Sequence, residues 1–239
     1  MHRFYVPNIS LTNSSFELNL EETRHLRDVL RLKPGAVINV FDGNGNEYES
    51  EIFEIGKKTT LANILRQIDP SSSESPLSIT LAVGLLKGDK YDLVLQKAVE
   101  LGVKTFIPMH THRSEMKVNE AEKRTERWRK IAVEAAKQCG RATIMTVEDP
   151  MIFNKLVGSE IAGRKIMFAE EGGGKFSQIE TADELTVLIG PKGGWEAEEI
   201  DLAKRSDFIA VTFGGRILRV ETAAIAVCSI LQHRFGDMN

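Results

Sequence analysis

Apolar and polar positions change their period along the chain, and the change falls near residues 70–76. Before it, the residues at 36–41, 46–55 and 59–68 read as short strands of mixed polarity. Asp42-Gly43-Asn44-Gly45 between the first two predicts a hairpin turn, because glycine and asparagine tolerate the positive φ such turns need. Leu26, Val29 and Leu30, with charged residues between them, predict a helix over 21–32 that Pro34-Gly35 stops. Pro70-Ser71-Ser72-Ser73-Glu74-Ser75-Pro76 reads as an extended linker. Beyond it, strand candidates at 78–83, 104–109, 164–169, 185–189 and 208–213 alternate with helical patterns at 89–101, 120–139, 197–205 and 222–234. Strands alternating with helices predict an α/β fold, a parallel sheet with helices on both faces. The short strands upstream predict a small separate β domain, so we divide the chain into 1–70, a linker at 71–76, and 77–239.

Two strand-to-helix junctions are dense in glycine. Gly190-Pro191-Lys192-Gly193-Gly194-Trp195 follows the run at 185–189, and Phe213-Gly214-Gly215-Arg216-Ile217-Leu218-Arg219-Val220-Glu221-Thr222-Ala223 follows the run at 208–211. Without a Cβ the backbone approaches a flat ligand closely. Ligands of α/β proteins bind at the carboxyl edge of the sheet, where these loops lie. Neither loop is a phosphate cradle. The Gly-x-x-x-x-Gly-Lys-Ser/Thr pattern is absent, Gly172-Gly173-Gly174-Lys175 lacks its first glycine and its hydroxyl, and no G-x-G-x-x-G follows a strand. A backbone-lined pocket of this kind suits a nucleoside without phosphates, and S-adenosyl-L-methionine is the obvious candidate.

These two loops resemble those of the bacterial 16S ribosomal RNA uracil-N3 methyltransferase family, within the SPOUT superfamily of trefoil-knotted enzymes. The resemblance extends through Lys87-Gly88-Asp89-Lys90, Gln96-Lys97-Ala98-Val99-Glu100-Leu101-Gly102-Val103, Pro108, and Glu134-Ala135-Ala136-Lys137-Gln138-Cys139-Gly140-Arg141. It implies a PUA-like RNA-binding β-barrel at the N-terminus and a knotted methyltransferase domain after it. Ordinary connection rules argue against a knot, so the threading of 185–225 is implied by the resemblance alone. It also implies a homodimer that acts on the small ribosomal subunit. One position departs from the family, which usually carries an acidic residue where this chain has Lys192.

The resemblance implies that Leu188, Ile189, Gly190, Gly193, Gly194, Phe213, Gly214, Ile217, Leu218, Thr222 and Ala223 hold S-adenosyl-L-methionine. Methylation at uracil N3 requires loss of a weakly acidic proton, so a cation beside O2 or O4 is needed to stabilise the developing anion. Arg219 is the first choice, and Glu221 either orients it or serves the helix dipole. Thr222 is a helix cap or a cofactor contact. Arg24, Arg27 and Arg31, beside His25 and Lys33, form a basic patch in the first region. Lys87, Lys90, Gln138 and Arg141 complete the expected RNA contacts. Trp195 either stacks on a base or packs in the core. The target uridine must be unstacked to reach a buried methyl group.

Composition changes this picture little. The 239 residues are 42% hydrophobic and 27% charged, with a net charge of −3. The charge is uneven: 77–141 holds 13 Lys/Arg against 8 Asp/Glu, and 142–239 holds 10 against 15. Local patches rather than net charge govern RNA binding. Cys139 and Cys228 read as buried thiols in a reducing compartment, and no leader or membrane span is evident, so the expected location is the cytoplasm. His110 and His112 lack a third ligand, and no metal site is expected. Three alternatives stay open on sequence: ribose 2′-O methylation, methylation of a tRNA base, and a non-catalytic RNA-binding relative marked by Lys192.

Overall fold

In a computed structural model, residues 2–7, 9, 14–179 and 182–238 are described. They form two compact units, one of residues 1–74 with 136–144, the other of 75–135 with 145–239.

The first unit contains β1 (Arg3–Tyr5), β2 (Ser15–Leu18), α1 (Leu20–Arg24), a π-helical turn (His25–Val29), β3 (Val37–Phe41), β4 (Glu47–Ile55) and β5 (Thr60–Ile68). The strand order is β1-β3-β4-β5-β2. The expected barrel takes the form of a five-stranded sheet with two register shifts between β4 and β5, the kind of irregularity that bends a strand. Alternating side chains Ile38, Val40, Tyr48, Ile52 and Ala62 fill a core with Phe4, Leu18 and Leu26. The hairpin turn is where the sequence puts it. The Asp42 carboxylate accepts the backbone N–H of Asn44 (2.7 Å) and of Asn46 (3.1 Å). The helix expected over 21–32 is shorter. It ends at Leu30 because Arg31 takes φ 53°, before Pro34 is reached.

Residues 71–74 are pinned rather than free. The Ser71 N–H and hydroxyl donate to the buried Glu47 carboxylate at 2.9 and 3.0 Å. Glu47 also receives both Nε and Nη2 of Arg3 at 3.0 Å. Burial raises the Glu47 carboxyl, but the Arg3 and Ser71 hydrogen bonds outweigh it and hold it below the usual range. The last residues of a long helix join this unit: Lys137 pairs with Glu22 at 2.9 Å.

The second unit carries β6 (Ser78–Gly84), α2 (Asp89–Glu100), β7 (Thr105–His110), α3 (Val118–Glu122), α4 (Thr125–Cys139), β8 (Thr146–Val147), β9 (Met151–Ile152), α5 (Phe153–Val157), β10 (Arg164–Ala169), β11 (Gly174–Lys175), β12 (Glu184–Ile189), α6 (Ala197–Arg205), β13 (Ile209–Thr212) and α7 (Val220–Phe235). Its strands run β11-β13-β10-β12-β6-β7-β8, with β9 also on β7, and every pairing is parallel. The parallel sheet therefore matches the sequence expectation. The pattern at 120–139 is two helices, because the chain turns at Lys123-Arg124 and the Thr125 hydroxyl donates to Ala121 O (3.3 Å). Helix α7 starts at Val220 with Arg219 as its N-cap, so Thr222 is inside the helix and does not cap it.

Strand β10 lies between β12 and β13, with Phe168 opposite both Ile189 and Val211. The carboxyl ends of three strands thus meet, and both glycine loops leave the sheet beside Ala169.

Candidate active site

The cavity at this meeting point has a volume of about 570 Å³ including open solvent. Ile189, Gly190 and Gly194 line it from the first loop, with Phe213, Ile217, Leu218 and Ala223 from the second. The other residues expected here sit elsewhere. Leu188 is fully buried in the core beneath, because successive strand residues face opposite ways. The Gly193 carbonyl accepts the Arg113 guanidinium at 2.6 Å on the outside of the loop. Gly214 at φ 73° has open space around it, and Thr222 is exposed.

Sequence reading missed the third wall: Phe168, Ala169 and Glu170 at the end of β10, with Arg216 and Val220. The strand at 164–169 was legible, but its place between β12 and β13 was not. Trp195 also lines the cavity. It is buried, its Nε1 donates to Phe168 O (2.8 Å), and its ring packs on Phe153 at 5.4 Å. A Cβ on Gly190 would stand 2.9 Å from that indole, and one on Gly84 would stand 2.6 Å from Pro191 N. Glycine is therefore required at both positions by contact.

The first loop is held from outside. Arg113 places Nε and Nη2 on Glu196 at 2.9 and 3.0 Å. Glu196, which precedes α6, is held below the usual carboxylate range chiefly by that guanidinium. The Glu199 carboxylate receives the N–H groups of His112 (2.9 Å) and Glu196 (3.0 Å), joining the end of β7 to the start of α6. His112 Nδ1 lies 3.1 Å from Glu196.

A second cavity, about 1060 Å³ including open solvent, adjoins the first. Four cationic side chains, Lys87, Lys90, Lys192 and Arg219, line it with the carboxylates of Glu115, Glu170 and Glu221. Arg219 is exposed, and among the described residues its guanidinium makes no hydrogen bond or ion pair. Glu221 pairs with Lys90 Nζ at 3.1 Å, not with Arg219. Burial raises its carboxyl, but its own N–H and the Lys90 ammonium, with Arg219 adding charge, bring it below the usual value. Lys192 pairs with Glu115 at 3.2 Å, and Glu115 also accepts the Lys87 N–H at 3.3 Å. Lys192 does not line the first cavity, so the substitution at this position leaves its walls intact.

The remaining expected RNA contacts lie in the first unit. Arg24 and Arg31 are exposed. Arg27 is bound to Asp28 (2.7 Å) and to the carbonyls of Gly56 (3.3 Å) and Lys57 (3.1 Å). Gln138 is exposed, whereas Arg141 is buried and paired with Glu74 at 2.7 Å. The thiols are unpaired; burial pushes Cys228 up to about 12. No helix among the described residues is long and apolar enough to cross a membrane.

Comparison with known proteins agrees with this geometry. An RNA methyltransferase domain matches residues 73–232, and an RNA methyltransferase PUA domain matches 18–65. Ribosomal RNA small subunit methyltransferase E of Buchnera aphidicola is 30% identical over 98% of this chain and 94% of its own. The protein of that name from Bacillus subtilis is 30% identical over 92% and 90%. Among solved structures, ribosomal RNA small subunit methyltransferase E from Neisseria gonorrhoeae bound to S-adenosyl methionine has a TM-score of 0.92. It is 33% identical and covers 100% of both chains. A putative methyltransferase from Legionella pneumophila, in complex with the same cofactor, also has a TM-score of 0.92, at 31% identity over 98% of both chains. With the parallel sheet, the glycine-lined cavity and matches that run nearly end to end, this chain belongs to the ribosomal RNA small subunit methyltransferase E family.

Proposed function

We propose that the protein transfers a methyl group from S-adenosyl-L-methionine to N3 of a specific uridine in 16S ribosomal RNA of the small subunit. The observation that carries this reading is a glycine-lined, largely apolar cavity opening into a cation-rich one within a single unit. The first cavity suits the cofactor because its walls combine loop backbone with Phe168, Phe213, Leu218 and Ala223, and glycine keeps Gly190 clear of Trp195. When bound, the cofactor supplies an electrophilic methyl group on a sulfonium. The chain's own part is largely positioning, which accounts for much of the rate in group transfers of this kind.

Arg219 lines the second cavity with no hydrogen bond or ion pair among the described residues, and it stabilises the negative charge on O2 or O4 as the N3 proton leaves. Glu221 fixes Lys90 at the mouth of the same cavity, where Lys90 and Lys87 meet phosphate oxygens. A flipped-out base fits this arrangement, since a stacked one has no path to the methyl group. Arg24 and Arg31 extend the RNA contact onto the first unit, which acts as the PUA-like RNA-binding domain. We further propose the domain division 1–70, 71–76 and 77–239, a trefoil knot formed by 185–225, a homodimer, and action in the cytoplasm on the ribosomal subunit.

The test is methyl transfer from labelled S-adenosyl-L-methionine to small-subunit particles that lack the modification, followed by nucleoside mass spectrometry. A 3-methyluridine product is expected. A different methylated nucleoside would overturn the choice of N3, and no transfer with no cofactor binding would overturn the activity.

A further inference from the structure

The two cavities share five residues: Glu170, Pro191, Ile217, Leu218 and Val220. Glu170 is the only titratable residue among them. It follows β10 directly, is exposed, and among the described residues its carboxylate makes no hydrogen bond or ion pair. Its position is set by the first glycine loop. A Cβ on Gly194 would stand 3.2 Å from Glu170 Oε2 and 3.4 Å from Oε1, and Gly194 takes φ 73°. Glycine there leaves the carboxylate room to lie over the loop.

A methyl group that passes from the first cavity to the second must cross this shared wall, so the positive centre that carries it belongs beside the wall. We propose that Glu170 is the anionic partner of the cofactor's sulfonium, an assignment that rests on the function proposed above. The consequence is selectivity by charge. The carboxylate attracts the cationic methyl donor and has no such hold on the neutral thioether left after transfer. Glu170 therefore favours substrate over product in one cavity that otherwise fits both. Because the attraction is greatest before the methyl leaves, it lowers KM for the donor without raising kcat. Glu170 acts here as a binding and positioning residue, and no proton moves to or from it.

The experiment is calorimetric titration of the full chain and of Glu170→Gln with S-adenosyl-L-methionine and with S-adenosyl-L-homocysteine. Glutamine keeps the size and removes only the charge, at an exposed position where folding is not at stake. The donor should bind Glu170→Gln roughly fivefold more weakly, the upper range for a solvent-exposed ion pair, while the thioether binds as before. Glu170→Asp should recover part of the difference. Equal weakening of both ligands would overturn the inference, because it would place the carboxylate on a group that both share, such as the ammonium. Unchanged donor binding would overturn it as well. Failure of the unsubstituted protein to bind either ligand would instead remove the proposed function, and this assignment with it.

Discussion

Replacing Gly190 by alanine would place a methyl group 2.9 Å from Cε2 and Nε1 of Trp195. The indole cannot swing away freely, because its Nε1 donates to Phe168 O at 2.8 Å and its ring packs on Phe153 within the core. Overpacking of this kind costs about 1–3 kcal/mol, and weakening the buried indole hydrogen bond adds about 1 kcal/mol. For a protein of this size each kcal/mol lowers the melting temperature by roughly 2–4 °C, so the expected drop is on the order of 5–15 °C. The same shift moves Trp195 and Gly190, two walls of the cofactor cavity, and affinity for S-adenosyl-L-methionine should fall at least about tenfold, equal to about 1.4 kcal/mol. Thermal melting followed by fluorescence, and calorimetric titration of the cofactor, read the two effects separately. Gly215→Ala is the internal control, since a Cβ there meets nothing within 4 Å and its φ lies outside the left-handed region. Its stability should stay within about 0.5 kcal/mol of the parent. If Gly190→Ala melted and bound cofactor like Gly215→Ala, the close approach of the indole would not constrain this loop and the reasoning would fail.

Arg219→Ala should bind cofactor normally and lose methyl transfer by about 10²–10³-fold, the usual cost of removing one charge-stabilising group; full transfer activity would refute its role. Lys192→Ala should leave cofactor affinity within about twofold and stability within about 1 kcal/mol, because its pair with Glu115 is exposed and lies outside the cofactor cavity. Loss of cofactor binding in that variant would show that Lys192 reaches the pocket after all. Glu47→Gln should cost about 1–3 kcal/mol at neutral pH, since it removes the charge opposite Arg3 in a buried site while the carbonyls of Ala136, Lys137 and Arg141 still accept from that guanidinium. Glu47 has a depressed pKa in the folded state, so its stabilisation is complete above the ordinary glutamate value of about 4.3 and is lost as pH falls through the folded value. The acid limb of denaturant midpoint against pH should therefore be flatter in the variant; identical slopes would exclude Glu47 from acid unfolding.

Much of the fold was legible locally. Residues 164–169 and 197–205 form the expected strand and helix end to end, one carrying apolar residues at 166–169 into a parallel sheet, the other started by Glu196 and Glu199. Strands β1 and β2 were not legible. They are three and four residues long, too short for a period, and exist because β3 and β5 supply their hydrogen-bond partners. The break between α3 and α4 has neither Gly nor Pro to announce it. The serines and Glu74 of the linker read as extended connecting chain by composition, yet buried Glu47 and Arg141 take up Ser71 and Glu74.

The sequence by itself determined that two glycine-rich loops leave parallel strands at their carboxyl ends, because apolar runs, loop glycines and helix starts are local signals. It also determined the family, since the motifs stand in order across most of the chain. Only the tertiary structure decided that β10 lies between β12 and β13, which makes Phe168, Ala169 and Glu170 the third wall of the cavity. Only it decided that Glu221 answers to Lys90, that Lys192 answers to Glu115, and that Arg141 is buried. Strand order and charge partnership join residues far apart in the chain, and their free energy comes from packing and desolvation that no local pattern records.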